Sequence, residues 1–190
     1  MNNPAVQALK ERRSIRTFDP DRQVPEDVLQ ELLQVAMNSP TAHNNQKYHF
    51  TVVQDPALLE HMAELIRQIM LNGTEAQRTK ASKPGYSPLH HAPTVIFITG
   101  ELDSGFNIQT DCGIAAGMIS AAAEHLGLAA CVTGSSVFMF KTDAGAALKE
   151  KLQIPDNYKT VCTVALGYLQ GEKPMPPVKK SADVLISYVR

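Results

Sequence analysis

Cysteine, tryptophan and net charge are all scarce in this chain of 190 residues. The three cysteines, Cys112, Cys131 and Cys162, are too few and too scattered for a disulfide framework. Each lies in an apolar stretch, which favours buried, reduced thiols and a cytoplasmic location. Lys and Arg total 18 and Asp and Glu total 19, for a net charge of −1. The chain therefore has no global positive field with which to bind nucleic acid.

Long hydrophobic runs are also missing. A bilayer-spanning helix needs about 20 apolar residues, and the longest candidate, residues 125–140, is interrupted by glycine, serine and threonine. Charged residues occur within positions 1–16, where a signal peptide would need an apolar core. No membrane association is therefore expected. The length suits a single domain, residues 1–190, because domains typically span about 100–200 residues.

Common catalytic and nucleotide-binding motifs are absent. The sequence contains no GxGxxG, GxxxxGK[ST] or GxSxG pattern. The histidines show no zinc-ligand spacing, and the adjacent pair His90 and His91 is a weak metal candidate. The cysteine spacing excludes CxxC redox chemistry. A metal hydrolase built on the scattered histidines is one alternative, which predicts a colourless protein inhibited by chelators.

Helical and strand patterns alternate along the chain. Helices are predicted at 25–37, 56–71, 110–126 and 142–152, and strands at 48–53, 94–99, 129–133 and 160–166. No periodicity is visible from residue 72 to residue 92, a length typical of a functional loop. The alternation favours an α/β or α+β fold whose sheet is covered on both faces.

The predicted helix 110–126 carries small or apolar residues on almost every side, so we expect it to be buried nearly all round. Gly113, Gly117 and Ala121 recur at every fourth position and would let another element approach closely. A central core helix explains this pattern, and so does a core helix that also contacts a partner subunit.

Three polar segments could bind a ligand. The first, residues 12–16, has three arginines and a serine, and the planar guanidinium group suits phosphate. The second, residues 39–46, is rich in amides and hydroxyls that could read the edge of a heterocycle. The third, residues 131–136, follows a strand, and its small side chains let backbone N–H groups approach a ligand. Taken alone, each segment is better explained as a solvated basic face or an ordinary turn.

The order and spacing of these segments resemble the nitroreductase family of FMN-dependent oxidoreductases. The similarity covers residues 10–188 and is carried by RRSIRTF, SPTAHNNQKYHF, DCGIAAGMISAAAEHLGL, CVTGSS and VALGY. It implies a three-layer α+β fold with a central mixed or antiparallel sheet flanked by helices. It also implies a domain-swapped type of homodimer, with non-covalently bound FMN in active sites at the subunit interface.

The resemblance assigns roles to four groups of residues. The basic motif would bind FMN through Arg12, Arg13, Ser14 and Arg16. A loop from the second subunit would border the flavin through Pro40, Thr41, Ala42 and Asn44, supported by Gln46. Flavin N5 and O4 would be approached by the turn formed by Thr133, Gly134 and Ser135. The phosphate would also be contacted from the C-terminal arm, residues 171–190, by Lys179 or Lys180.

Two departures from the family pattern fall near the implied flavin. Lys47 and Tyr48 stand where the family often has Pro-Trp, and Ser135 and Ser136 stand where Gly-Phe is common. The arm also offers lysines where arginine is frequent, and lysine binds phosphate with less directional grip. These changes alter the surroundings of the flavin and leave the acceptor open.

The activity that the resemblance implies is ping-pong transfer of a hydride from NAD(P)H to FMN N5 and on to an electron-poor acceptor, such as a nitroaromatic or a quinone. The chemistry would then take place on FMN, so no catalytic side chain is expected. The loop 72–92, with Tyr86, His90 and His91, would form a variable wall over the pocket. The alternatives are a specialised FMN enzyme, dehalogenase-like or flavin-consuming, and a non-enzymatic flavin-binding protein.

Overall fold

Helices and strands alternate along the chain in the structure, a computed structural model that describes residues 3–105, 107–176, 180 and 186–189. The α-helices within these ranges are α1 (Pro4–Glu11), α2 (Glu26–Met37), α3 (Pro56–Leu71), α4 (Glu75–Ala81), α5 (Asn107–His125) and α6 (Asp143–Lys151). The strands are β1 (Tyr48–Val53), β2 (Thr94–Glu101), β3 (Ala129–Thr133) and β4 (Tyr158–Gly167). Short 3₁₀ segments lie at Ala42–Asn44 and Ser135–Lys141.

The four strands form one sheet in the order β1-β2-β4-β3, and every neighbouring pair is antiparallel. Alternate residues of β2 enter opposite layers, because successive side chains of a strand point to opposite faces. Val95 and Phe97 pack in the core cluster that includes α3 and α6. Ile96 and Ile98 pack in the cluster that includes α2 and α5. The predicted three-layer α+β fold is therefore confirmed, with an antiparallel sheet.

Most predicted elements coincide with the observed ones, and β1, α3 and β3 match residue for residue. The prediction that residues 72–92 lack regular structure is wrong for α4. This helix begins with a capping box, in which Gln77 N–H donates to Thr74 Oγ1 at 3.4 Å and Thr74 N–H donates to Gln77 Oε1 at 2.8 Å. Only Ala81 of its seven residues is buried, so no apolar periodicity reveals the helix.

Within one chain, α5 is not buried nearly all round. Asp111, Cys112 and Ile119 are buried, but the opposite face of the helix is open within the chain. Gly113 and Gly117 are exposed on that face, and a Cβ added to either would meet no heavy atom within 4 Å. The small residues therefore serve no close packing among the described residues.

The cysteines are buried and unpaired, as expected. Burial raises the pKa of Cys112 to about 12 and that of Cys162 to about 11, so both are thiols near neutral pH. Among the helices that the structure describes, none has the length and apolar character needed to cross a membrane.

Candidate active site

The arginine-rich segment is anchored to the edge of the sheet. Ile15 and Phe18 are buried in the core, and the Ile15 N–H donates to the Ala130 carbonyl in β3 at 3.0 Å. Phe18 also forms a β-bridge with Leu169, just beyond β4. The buried Ile15 separates Ser14 from Arg16, and the arginines around it stay partly or fully exposed. Apolar anchoring thus holds the arginines at the surface beside β3.

The arginines line a cavity of about 670 Å³, here called the basic cavity. Its lining is Leu9, Lys10, Arg12, Arg13, Ser14, Arg16, Pro174, Met175 and Pro176. None of these residues is acidic. Three of the lining residues, Pro174, Met175 and Pro176, come from the C-terminal arm.

Within the described part of the chain, the guanidinium groups of Arg13 and Arg16 donate to backbone oxygens. Arg13 Nη1 donates to the carbonyls of Lys10 and Arg12 at 2.9 and 2.8 Å, and Arg16 Nη1 donates to that of Ser14 at 3.2 Å. The salt bridges found among the described residues involve other cations. Arg13 Nε is buried and has no hydrogen-bond partner among the residues that the structure describes. Positive charge without carboxylate partners, next to an unused donor, suits an anionic ligand.

A second cavity, of about 590 Å³, surrounds the turn after β3 and is here called the turn cavity. It shares Arg16 with the basic cavity, and its lining is also free of carboxylates. The full lining is Arg16, Met70, Ala76, Gln77, Lys80, Tyr86, Pro88, His90, Cys131, Val132, Thr133, Gly134, Ser135 and Phe138. The structure therefore brings the predicted residues Arg16, Thr133, Gly134 and Ser135 together.

Hydroxyl groups hold the turn after β3 in place. Thr133 Oγ1 and Ser135 Oγ lie 2.9 Å apart, and Ser135 Oγ donates to the Pro88 carbonyl at 3.4 Å. Behind the turn, Ser136 Oγ donates to Thr163 Oγ1 at 3.3 Å, and both residues are fully buried. The two serines that depart from the family pattern thus tie the turn to β4 and to the segment 82–92.

The segment predicted to form a wall does line the turn cavity. Tyr86 and His90 face it, together with residues of α4. His91 does not line this cavity, and its Nε2 lies 3.1 Å from the Gly85 carbonyl oxygen. Sequence reasoning missed Lys80 and Gln77, which the capping box beginning at Thr74 could have placed on a helix.

The polar loop 39–46 lies outside both cavities. It precedes β1, at the edge of the sheet opposite β3, and the two edge strands are about 14 Å apart at the usual strand spacing. Neither cavity contains its residues, so Pro40, Thr41, Ala42, Asn44 and Gln46 do not join the arginines within one chain.

A buried carboxylate pins this loop. The Ala42 N–H donates to Asp111 Oδ1 at 3.1 Å, and the Gln46 N–H donates to Thr41 Oγ1 at 3.1 Å. His43, Asn44 and Gln46 have left-handed backbone, with φ between 49° and 54°, which costs energy outside glycine. Sequence reasoning missed Asp111, although a carboxylate in the first half of an otherwise mostly apolar helix could have marked it.

Of the two lysines predicted to meet a phosphate, the structure describes one. Lys179 lies outside the described residues, and Lys180 is exposed and lines neither cavity. Lys173, earlier in the arm, pairs with Glu124 near the end of α5. The assignment of Lys179 or Lys180 stays a prediction.

Comparison with known proteins agrees with this geometry. The model of the nitroreductase family matches residues 9–168. The chain belongs to the nitroreductase family. It is 32% identical over 163 residues to a protein of Archaeoglobus fulgidus that carries the provisional name NADH dehydrogenase/NAD(P)H nitroreductase, covering 85% of this chain and 83% of the relative.

Further nitroreductase relatives are similar in sequence and structure. A protein of Methanothermobacter thermautotrophicus with the same provisional name is 31% identical over 167 residues, covering 86% of this chain and 76% of the relative. The crystal structure of a Bacteroides fragilis nitroreductase with bound FMN superposes with a TM-score of 0.89 at 26% identity and covers both chains in full.

We predict that Asp111→Ala releases the loop 39–46. The variant leaves the partly buried Ala42 N–H without its charged acceptor, a loss of about 1 kcal/mol in the free energy of unfolding. Hydrogen exchange of residues 41–46 should accelerate, whereas Asp111→Asn, which keeps one side-chain oxygen, should stay near the wild-type rate. Equal exchange in the Ala variant and the wild type would show that Asp111 does not hold the loop.

We also predict that His90 makes the protein less stable as the pH falls. Burial, and then the charges of Arg16, Lys80 and His91, lower the pKa of His90 from 6.5 to about 4. The unfolded chain therefore binds the proton first, and stability falls from about pH 6.5 towards pH 4 and is unaffected by this group above that window.

The measurement is chemical denaturation of the wild type and His90→Gln at pH 7 and pH 5. The wild type should lose more free energy of unfolding than the variant between the two pH values. Identical losses would mean that His90 is protonated equally in both states.

Proposed function

We propose that this member of the nitroreductase family is an FMN-dependent oxidoreductase that takes hydride from NAD(P)H and reduces an electron-poor acceptor, such as a nitroaromatic or a quinone. The observation that carries the proposal is a pair of carboxylate-free cavities that share Arg16. The FMN bound to the Bacteroides fragilis nitroreductase and the NAD(P)H in the archaeal relatives' names support the choice of cofactor and donor.

The donors of the two cavities fit FMN. A phosphate monoester carries between one and two negative charges at neutral pH, and Arg12, Arg13 and Ser14 would hold it with the ribityl chain in the basic cavity. The unpartnered Arg13 Nε offers a donor for such a group. Tyr86 and Phe138 give the turn cavity aromatic walls suited to a planar ring. Both volumes lie in the range of about 300–1,000 Å³ typical of small-molecule sites.

When bound, FMN would supply the redox chemistry, accepting a hydride from NAD(P)H at N5 and passing it to the acceptor. Arg16 would place positive charge beside the pyrimidine side of the ring and stabilise the negative charge that reduction develops there. The turn at Gly134 would direct backbone N–H groups towards N5 and O4. The protein thus contributes binding, orientation and electrostatics.

A ping-pong order follows from a single binding space. NAD(P)H and the acceptor would take turns on the same face of the flavin ring, in the space of the turn cavity that the ring leaves open. The oxidised nicotinamide would therefore leave before the acceptor binds.

A homodimer would complete the site. The exposed face of α5, with Gly113, Ile114 and Gly117, offers an apolar surface of small residues for a second copy. The loop 39–46 meets neither cavity in its own chain, and a two-fold partner could bring its copy of the loop to the flavin. The buried, unpaired thiols support a reducing compartment, the cytoplasm, as the place of action.

Charge reversal tests the cofactor site. The double variant Arg12→Glu/Arg16→Glu should weaken FMN binding at least about a hundredfold, because each charge-assisted bond contributes about 1.5–3 kcal/mol and the new carboxylates repel phosphate. Flavin fluorescence titration measures the Kd. The control Arg22→Glu changes an exposed arginine that stacks on Tyr168 outside both cavities, and should bind FMN normally. Unchanged affinity in a folded double variant would exclude these arginines as the FMN site.

An anaerobic titration tests the activity. NADH or NADPH should bleach the flavin absorbance stoichiometrically, and initial rates with para-nitrobenzamide should give parallel double-reciprocal lines. Bound FMN that neither nucleotide bleaches would identify a flavin-binding protein without this activity. Intersecting lines would contradict the ping-pong order.

A further inference from the structure

Lys80 is the one cation of the turn cavity to which the proposed function gives no role. It lies in the last turn of α4 and lines the cavity, whereas the neighbouring Arg78 donates to the Gly73 carbonyl and does not. No salt bridge to Lys80 occurs among the described residues.

The structure holds the Lys80 ammonium group at the mouth of the cavity. Its Nζ lies 5.4 Å from the centroid of the Tyr86 ring, within the range of a cation–π contact. The Tyr86 hydroxyl is fixed in turn, 3.7 Å from Met70 Sδ. The capping box and the buried Ala81 hold α4 itself in place. The contact places the exposed Lys80 ammonium group beside an aromatic residue that lines the cavity.

No acidic side chain of the turn cavity competes with an incoming anion for Lys80. No carboxylate lines the cavity, and Arg16 is committed to the cofactor in the proposed function. His90 carries no charge at neutral pH, because burial and the neighbouring cations lower its pKa to about 4. Lys80 is exposed, so its attraction for an anion is that of a surface ion pair, modest and dependent on salt concentration.

The rest of the lining selects the shape of that anion. Tyr86, Phe138 and Met70 form apolar walls. Gln77 adds a neutral polar side chain from α4. Aromatic walls favour a planar conjugated body, and the ammonium group favours a negative group at its rim. A single small molecule with a planar conjugated body and a negatively charged group would satisfy both preferences.

We propose that Lys80 binds the carboxylate of the electron acceptor, so that the enzyme prefers conjugated carboxylates to their neutral analogues. This inference rests on the proposed function and deepens it by naming the class of acceptor. Lys80 acts in binding and specificity and takes no part in hydride transfer.

The test compares para-nitrobenzoate with para-nitrobenzamide, which differ in charge and little in shape. In either case the nitro group takes two electrons and two protons, the hydride from NAD(P)H and one proton from solvent, to give a nitroso group and water. The wild-type holoenzyme should show a lower KM for the benzoate. Lys80→Gln should raise that KM roughly fivefold, the effect of about 1 kcal/mol for one exposed ion pair, and leave kcat and the benzamide KM unchanged.

Two further variants serve as controls. Lys80→Arg keeps the positive charge and should retain the preference for the benzoate. Lys83→Gln removes an exposed lysine three residues further along, which lines a separate groove beside α3, and should behave as the wild type. Rising salt concentration should raise the benzoate KM of the wild type and not that of Lys80→Gln.

Each failure has its own signature. Absence of FMN binding or of NAD(P)H oxidation in the wild type would remove the proposed function itself. With both present, equal KM values for the two acceptors, or a Lys80→Gln variant that impairs both alike, would overturn the inference. A Lys80→Gln effect confined to NADPH, with NADH and both acceptors unaffected, would also overturn it, because Lys80 would then bind the phosphate that distinguishes the two donors.

Discussion

The attachment of the N-terminal segment to the edge of β3 is the contact on which the site depends. One backbone hydrogen bond from Ile15 to Ala130, with the burial of Ile15 and Phe18, fixes the register of the segment. Burying two large apolar side chains stabilises this docking by about 3–6 kcal/mol. That is enough to hold neighbouring guanidinium groups together although they repel one another. The same docking covers the free edge of β3, which would otherwise be open to pairing with another chain.

Charge separation is the second organising feature. The chain as a whole is nearly neutral, yet two adjoining cavities collect Lys10, Arg12, Arg13, Arg16 and Lys80 without a carboxylate. Composition averages over the whole surface, so it excludes a global field and says nothing of a local one. The same cations act on His90, whose pKa is lowered first by burial and then by the charges of Arg16 and Lys80.

Much of the fold could be predicted from the sequence, because the apolar patterns of β1, β2, α3 and β4 report directly on burial. The antiparallel order of the sheet could not, since a continuous apolar run such as that of β2 shows only that both faces are covered. The helix α4 could not be predicted from hydrophobic periodicity, because it lies on the surface and buries a single alanine. The exposure of one face of α5 could not be predicted, because small residues occur both at packed positions and at positions that face solvent.

The candidate site could be predicted in part. Arg16 and Gly134 were recognised by the resemblance to a family, and the structure places them at one cavity. Asp111 and Lys80 were not recognised, because each acts through a contact distant in sequence or across a helix end. The position of the loop 39–46, at the edge of the sheet opposite β3, could not be predicted from the local sequence either. It depends on the order of the strands in the sheet.

The carboxylate-free lining has a consequence for the life of the protein in a cell. Newly made chains carry clustered like charges that nothing within the described residues neutralises, and any anion that binds only the folded state adds its binding free energy to folding. A shortage of that ligand therefore enlarges the unfolded fraction that proteases and chaperones encounter. Binding of an anionic cofactor in these cavities would thus link the stability of the fold to the supply of that cofactor.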